Sequence, residues 1–230
     1  MRVRSTLMTM STAAVLVTGL LAPAAAAQAA APGPWGERGD VLTMPLQKIL
    51  AEMPVAEESR AGYERTKFKH WVDADHDGCS TRAEVLLDEA FLTPQKDDHC
   101  KISGGRWYSA YDNTYLDGAN GLDIDHLVPL AEVWDSGASS WSAAERQAYA
   151  NDLDDPRTLI AVSAKTNRSK ADQDPTTWMP PSEADHCTYL ADWAATKMRW
   201  QLTVDPAEAN ALAQISVTCS NTPVRVTLAR

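Results

Sequence analysis

Asp123-Ile124-Asp125-His126-Leu127-Val128-Pro129-Leu130 sets two carboxylates and an imidazole into otherwise apolar sequence. With Leu122, the apolar positions Ile124, Leu127 and Val128 read as a short buried strand. Pro129 stops it, because proline has no N–H to give a ladder. A histidine beside an aspartate at a strand end fills a core poorly and suits a general base and a metal ligand. Downstream, Ser142-x-x-Glu145 is a capping box that opens a helix to about Leu153, and Asp154-Asp155-Pro156 ends it. Thr158–Val162 is β-branched and apolar, a second strand. A helix from Ser163 to about Asp172 then carries Thr166-Asn167-Arg168-Ser169-Lys170-Ala171-Asp172.

Upstream, the spacing of Leu42, Leu46, Ile49 and Leu50 predicts a helix over Val41–Met53, and Tyr63–Val72 reads as a second. Asp73-Ala74-Asp75-His76-Asp77-Gly78 with Glu84 matches a calcium loop at every acidic position and at the turn glycine. Oxygen ligands at Asp73, Asp75, Asp77 and Glu84 suit a hard cation, Ca²⁺. Against this, Ser80 stands where an aliphatic residue is usual, and no second hand exists. Thr81-x-x-Glu84 also reads as a capping box for a helix Arg82–Phe91 with Val85, Leu86, Ala90 and Phe91 inward. Cys100–Tyr111 reads as a hairpin about Ser103-Gly104-Gly105. Ser182–Leu202 is a long amphipathic helix, and Asp205-Pro206 starts a last one toward Ile215.

Residues 1–30 have a basic start, an apolar run and A-x-A sites, the pattern of a secretory signal peptide. Pro/Gly-rich 31–40 reads as a flexible leader, and 41–230 as a single domain. The expectation is an exported protein without stable membrane association. The chain has 21 Lys+Arg against 31 Asp+Glu, a net charge of −10; without Arg2 and Arg4, 19 basic residues remain and the charge is −12. That excludes a general nucleic-acid coat, which displaces counterions with a basic surface. In an exported chain, Cys79, Cys100, Cys187 and Cys219 read as two disulfides among three pairings. Sequence neighbours, Cys79–Cys100 and Cys187–Cys219, are expected over zinc, because no C-x2-C pair exists.

Together, the two central segments resemble the HNH (His-Me finger) endonucleases. Asp123–Pro129 is similar to the first-strand motif of the HNH domain in CRISPR effector nucleases, and Lys165–Asp172 to its helix motif. Cys79-Ser80-Thr81-Arg82 and Asp174-Pro175-Thr176-Thr177-Trp178 extend the likeness to the GmrSD-type HNH domain in its exported actinobacterial form. The motifs cover about 120–180. The resemblance implies an α+β fold with a small ββα-metal centre surrounded by helices. It implies His126 as general base, Asp125 and Asn167 as ligands of Mg²⁺ or Mn²⁺, and phosphodiester hydrolysis on DNA, with RNA as a second substrate. The family's middle asparagine, which orients the histidine, aligns with Thr158; a Thr hydroxyl, a backbone carbonyl or a nearby Asp would have to replace it.

Asp123 reads as support for Asp125, since residues two apart on a strand share a face. Arg82, Arg168 and Lys170 are candidate phosphate contacts within a strip that includes Lys101, Arg106 and Lys165. His70, His76, His99 and His186 belong to no motif and read as structural or surface residues. The protein partner such an enzyme would have is an inhibitor or immunity protein. The alternative function is a calcium-dependent extracellular envelope protein with an inactive nuclease-like fold.

Overall fold

In the computed structural model, which describes residues 33–230, the elements follow in the order β1 (Val41–Pro45), α1 (Leu46–Glu52), α2 (Thr81–Asp88), β2 (Gln95–Lys96), β3 (Ile102–Ser103), β4 (Arg106–Ser109), β5 (Thr114–Asp117), β6 (Leu122–His126), α3 (Leu130–Asp135), α4 (Ala143–Ala150), β7 (Leu159–Ser163), α5 (Ala164–Lys170), α6 (His186–Arg199), α7 (Pro206–Ser216) and β8 (Pro223–Thr227). The expected signal peptide lies outside the described residues. The strands form four antiparallel pairs, β1–β8, β2–β3, β4–β5 and β6–β7, so the fold is α+β. The main core gathers around α6, with Tyr189, Leu190, Trp193 and Met198 buried against Phe68, Val128, Tyr149 and Leu212. A second cluster packs Val85 and Leu86 of α2 and Trp107 of β4 against Leu122, Ile124, Leu159 and Ala161. This cluster fixes one face of the β6–β7 pair and so positions the polar residues on the other.

Both disulfides pair as expected, Cys79–Cys100 and Cys187–Cys219. Loops of 21 and 32 residues each stabilise the fold by about 3 kcal/mol in the chain-entropy model. The capping box at Ser142 forms in full. Asp205 caps α7 through the Glu208 N–H, with Pro206 in the first turn.

Several elements differ from the sequence expectation. Val41–Pro45 is a strand, because it finds β8, which the sequence did not signal; the helix starts only after Pro45. Residues 33–40, expected as a loose leader, are tied down: the Gly39 N–H donates to the Leu228 carbonyl and the Trp35 N–H to Gln201 Oε1. Tyr63–Val72 holds one short 3-10 turn, Arg65–Lys67, in place of a helix. Its aromatics point in different directions: Phe68 enters the main core, while Trp71 turns toward β6 with φ 60°. The Thr81–Glu84 capping box does not form, because the Thr81 hydroxyl donates to the Val72 carbonyl. α2 ends at Asp88 and leaves Phe91 60% exposed. Ser103-Gly104-Gly105 joins strands that pair elsewhere, β3 with β2 and β4 with β5, so it is not a hairpin tip.

Candidate active site

The β6–β7 pair is antiparallel, with Asp125 opposite Ile160 and His126 opposite Leu159. Helix α5 follows β7 directly and packs on both strands. It starts where it does because Ser163 caps it, its hydroxyl accepting the Thr166 N–H. Asn167 and Lys170, three apart, therefore share the face turned to β6. Strand alternation sends Asp123 and Asp125 toward that helix and His126 to the opposite side.

Asp125 is buried. Its Oδ2 accepts the Tyr111 hydroxyl at 2.7 Å and the Lys170 ammonium at 2.7 Å. Lys170 is fully buried and also donates to the His126 carbonyl at 3.2 Å. Burial pushes the Asp125 carboxyl up and the Lys170 amine down, and each charge pulls the other back. One turn earlier on α5, Asn167 Nδ2 donates to Asp123 Oδ2 at 3.3 Å, and Arg168 Nε lies 3.4 Å from the same oxygen. The Asp123 side chain stays 30% exposed.

His126 sits in an aromatic niche, its ring 5.4 Å from Trp71, 6.2 Å from His70 and 6.1 Å from Tyr149. Nε2 lies 3.0 Å from the Ala150 carbonyl at the end of α4. A carbonyl only accepts, so Nε2 carries the proton and Nδ1 keeps the lone pair. Nδ1 makes no hydrogen bond to the described residues. Burial pushes the imidazole pKa down to about 3, against the Ala150 bond, which raises it. The ring is therefore neutral near pH 7, the form a base needs. Thr158 makes no hydrogen bond to the ring: its hydroxyl donates to Asp152 and its carbonyl accepts the Leu127 N–H. The hydrogen-bond partner of the ring is main chain, the Ala150 carbonyl, and not Thr158.

Asp125, His126 and Asn167 thus flank one strand end without a hydrogen bond among them. Asn167 meets Asp123, and Asp125 meets Lys170 and Tyr111. Lys170, read as a phosphate contact, is sealed in its ion pair and does not present its charge to a ligand. Arg82 donates to the Leu122 carbonyl at 3.2 Å and braces the start of β6. Arg168 remains 75% exposed beside Asp123.

The oxygen donors here suit a hard divalent ion at one place. Asp125 already holds the Lys170 ammonium where a cation's charge would act. Asp123 and Asn167 are more open, and one carboxylate, one amide oxygen and waters are a set that Mg²⁺ accepts. The donors fit at Asp123 and Asn167, and Asp125 is held by Lys170. In the upstream loop, Asp73, Asp75 and Asp77 bring one oxygen each within 4.8 Å of one another. The Gly78 N–H donates to Asp73, and Gly78 has φ 93°, which favours glycine. Glu84, the fourth expected ligand, is not part of that group; burial, then Asp75, Asp77 and Asp73, push its carboxyl up.

The sequence reading missed Tyr111, the Ala150 carbonyl, His70 and Trp71. The first two carry no local signal. The His70-Trp71 pair just before the acidic loop was a visible, if short, cue.

Fold and site together define a small α+β protein with an imidazole and carboxylates set around a two-stranded, helix-backed scaffold. The chain belongs to the family of GmrSD restriction endonuclease C-terminal domains, whose model matches residues 80–215. It is 40% identical over 174 residues to an uncharacterized secreted protein of Arthroderma benhamiae, covering 75% of this chain and 84% of that one. No solved structure matches the chain. Among the described residues, no helix is long and apolar enough to cross a membrane.

Proposed function

We propose that this protein is an exported, divalent-metal-dependent HNH endonuclease that hydrolyses phosphodiester bonds, with DNA as the first substrate and RNA as the second. The observation that carries the reading is His126: a neutral imidazole at a strand end, its tautomer held by the Ala150 carbonyl, its Nδ1 free. Nδ1 takes a proton from the attacking water, and the Ala150 carbonyl steadies the imidazolium that forms. Asp123 and Asn167 would hold Mg²⁺ or Mn²⁺, while Asp125 stays in its ion pair with Lys170. When bound, such an ion neutralises charge on the scissile phosphate and the leaving oxygen. Lys170 opposes the burial that pushes the Asp125 carboxyl up and ties it to the His126 main chain, so both sides of the strand end keep their places. Exposed Arg168 offers a guanidinium to the phosphate backbone. The secreted relative, the two disulfides and the signal-like first thirty residues support export.

The test is plasmid, single-stranded DNA and RNA cleavage by the oxidised mature protein with Mg²⁺, Mn²⁺ or EDTA. Metal-dependent nicking that EDTA stops is the expected result. No cleavage of any substrate under either metal would overturn the reading.

The converging Asp73, Asp75 and Asp77 favour a second reading, a calcium-dependent extracellular binding protein with an inactive nuclease-like fold. On that reading, millimolar Ca²⁺ raises the melting temperature of the wild type and not of Asp75→Asn/Asp77→Asn. Equal melting with Ca²⁺ and with EGTA would remove its support.

A further inference from the structure

We infer that His70 is a second active-site imidazole, one that binds the substrate phosphate beside His126. The inference rests on the reading of His126 as the base. The ring of His70 stands 6.2 Å from that of His126, nearly perpendicular to it at 87°, and Trp71 lies against both, at 5.3 and 5.4 Å.

Each histidine is held through one ring nitrogen by a main-chain carbonyl. His70 Nδ1 lies 2.8 Å from the Phe68 carbonyl, so Nδ1 carries the proton and Nε2 is left over. Nε2 makes no hydrogen bond to the described residues. Two adjacent imidazoles, each pinned through one nitrogen by a main-chain carbonyl, each keep one nitrogen for a ligand.

The support beneath His70 is stiff on one side and strained on the other. Phe68 is fully buried, so the carbonyl that aims His70 is fixed to the core. Trp71 has φ 60°, a left-handed conformation that is an outlier for a bulky residue. Such strain collects at functional sites, where the surroundings hold it in place. Here it lays the indole over His126 and keeps His70 at the rim. His126 is 3% exposed, whereas His70 is only half-buried. His70 thus reaches a phosphate at the mouth of the niche. When Nε2 takes up a proton with the bound phosphate, Nε2–H donates to a non-bridging oxygen while Nδ1–H stays on Phe68.

The experiment compares His70→Ala, His70→Gln and His126→Ala for steady-state cleavage of an oligonucleotide duplex with Mg²⁺, with melting curves for each. A charge-assisted hydrogen bond to phosphate predicts that His70→Ala raises KM about tenfold with kcat within about threefold of wild type. Gln, which keeps an N–H donor, recovers part of that KM. Anisotropy with a fluorescein-labelled 20-mer duplex in EDTA gives a reading free of catalysis: His70→Ala binds several-fold more weakly, and His126→Ala binds as wild type. An unchanged KM and unchanged duplex binding in His70→Ala, at unchanged melting, would overturn the inference, as would a loss confined to kcat. If His126→Ala cleaves like wild type while His70→Ala still loses binding, the base assignment fails and the phosphate contact stands.

Discussion

Replacing His126 with alanine is expected to slow phosphodiester cleavage by about 10²–10⁴-fold, the share a positioned general base contributes. The imidazole keeps a free lone pair on Nδ1, held in a fixed direction through the Ala150 carbonyl. Alanine removes the lone pair and leaves that carbonyl without its donor. It also opens a space bounded by Trp71, Tyr149 and His70. The lost packing and the orphaned carbonyl together cost about 2 kcal/mol, so the variant should fold and melt somewhat earlier. The space suggests a control. Added imidazole should enter it and restore part of the rate in His126→Ala, with no effect on wild type. Rate loss with normal melting and rescue by imidazole would establish the base. Wild-type rates in the folded variant would mean that the proton goes elsewhere.

The strand end was readable because its information is local. Alternation placed Asp123 with Asp125 and apart from His126, and Pro129 marked where the ladder stops; both follow from covalent geometry. The α5 cap at Ser163 and the capping box at Ser142 are also short-range bonds. What the sequence did not show were pairings across long separations. β1 is a strand only because β8, almost the whole chain away, accepts it. The Asp125–Lys170 ion pair joins residues that separately read as a metal ligand and a phosphate contact. Lys170 follows Asn167 by three positions, so the helical spacing that brings Asn167 to Asp123 delivers the ammonium to Asp125. The Tyr63–Val72 segment failed for another reason. Its apolar residues have a helix-like spacing, but they serve two destinations, the main core and the His126 niche, and one helix cannot face both.

Replacing Lys197 with methionine is expected to destabilise the fold by about 3–5 kcal/mol, the cost of leaving buried carboxylates without their cation. Lys197 is fully buried on α6. Its ammonium donates to Glu132 at 2.7 Å, Glu208 at 2.6 Å and the Thr203 carbonyl at 2.9 Å. It thereby joins α3, α6 and α7 through one charge. Burial works against the Glu132 charge, but the ammonium outweighs it and holds that carboxyl below its usual range. Burial pushes Glu58 up to about 8 and Glu208 up to about 7, and in both cases Lys197 is the main opposing influence. Glu58 and Glu208 therefore hold protons in the fold that the unfolded chain releases near 4.5. By linkage, their share of stability falls as pH rises from about 4.5 to 8. Without the ammonium both carboxyls rise further, so the fall becomes steeper. Urea unfolding of wild type and Lys197→Met at pH 5 and pH 8 measures this directly. The gap between the two proteins should be smaller at pH 5, where Glu58 and Glu208 hold protons, than at pH 8. Adding Glu208→Gln to Lys197→Met should recover part of the loss at pH 8, because the amide keeps the acceptor for Trp193 without the charge. A gap independent of pH would show that methionine fails by shape alone, and that the carboxylates find other partners when Lys197 is gone.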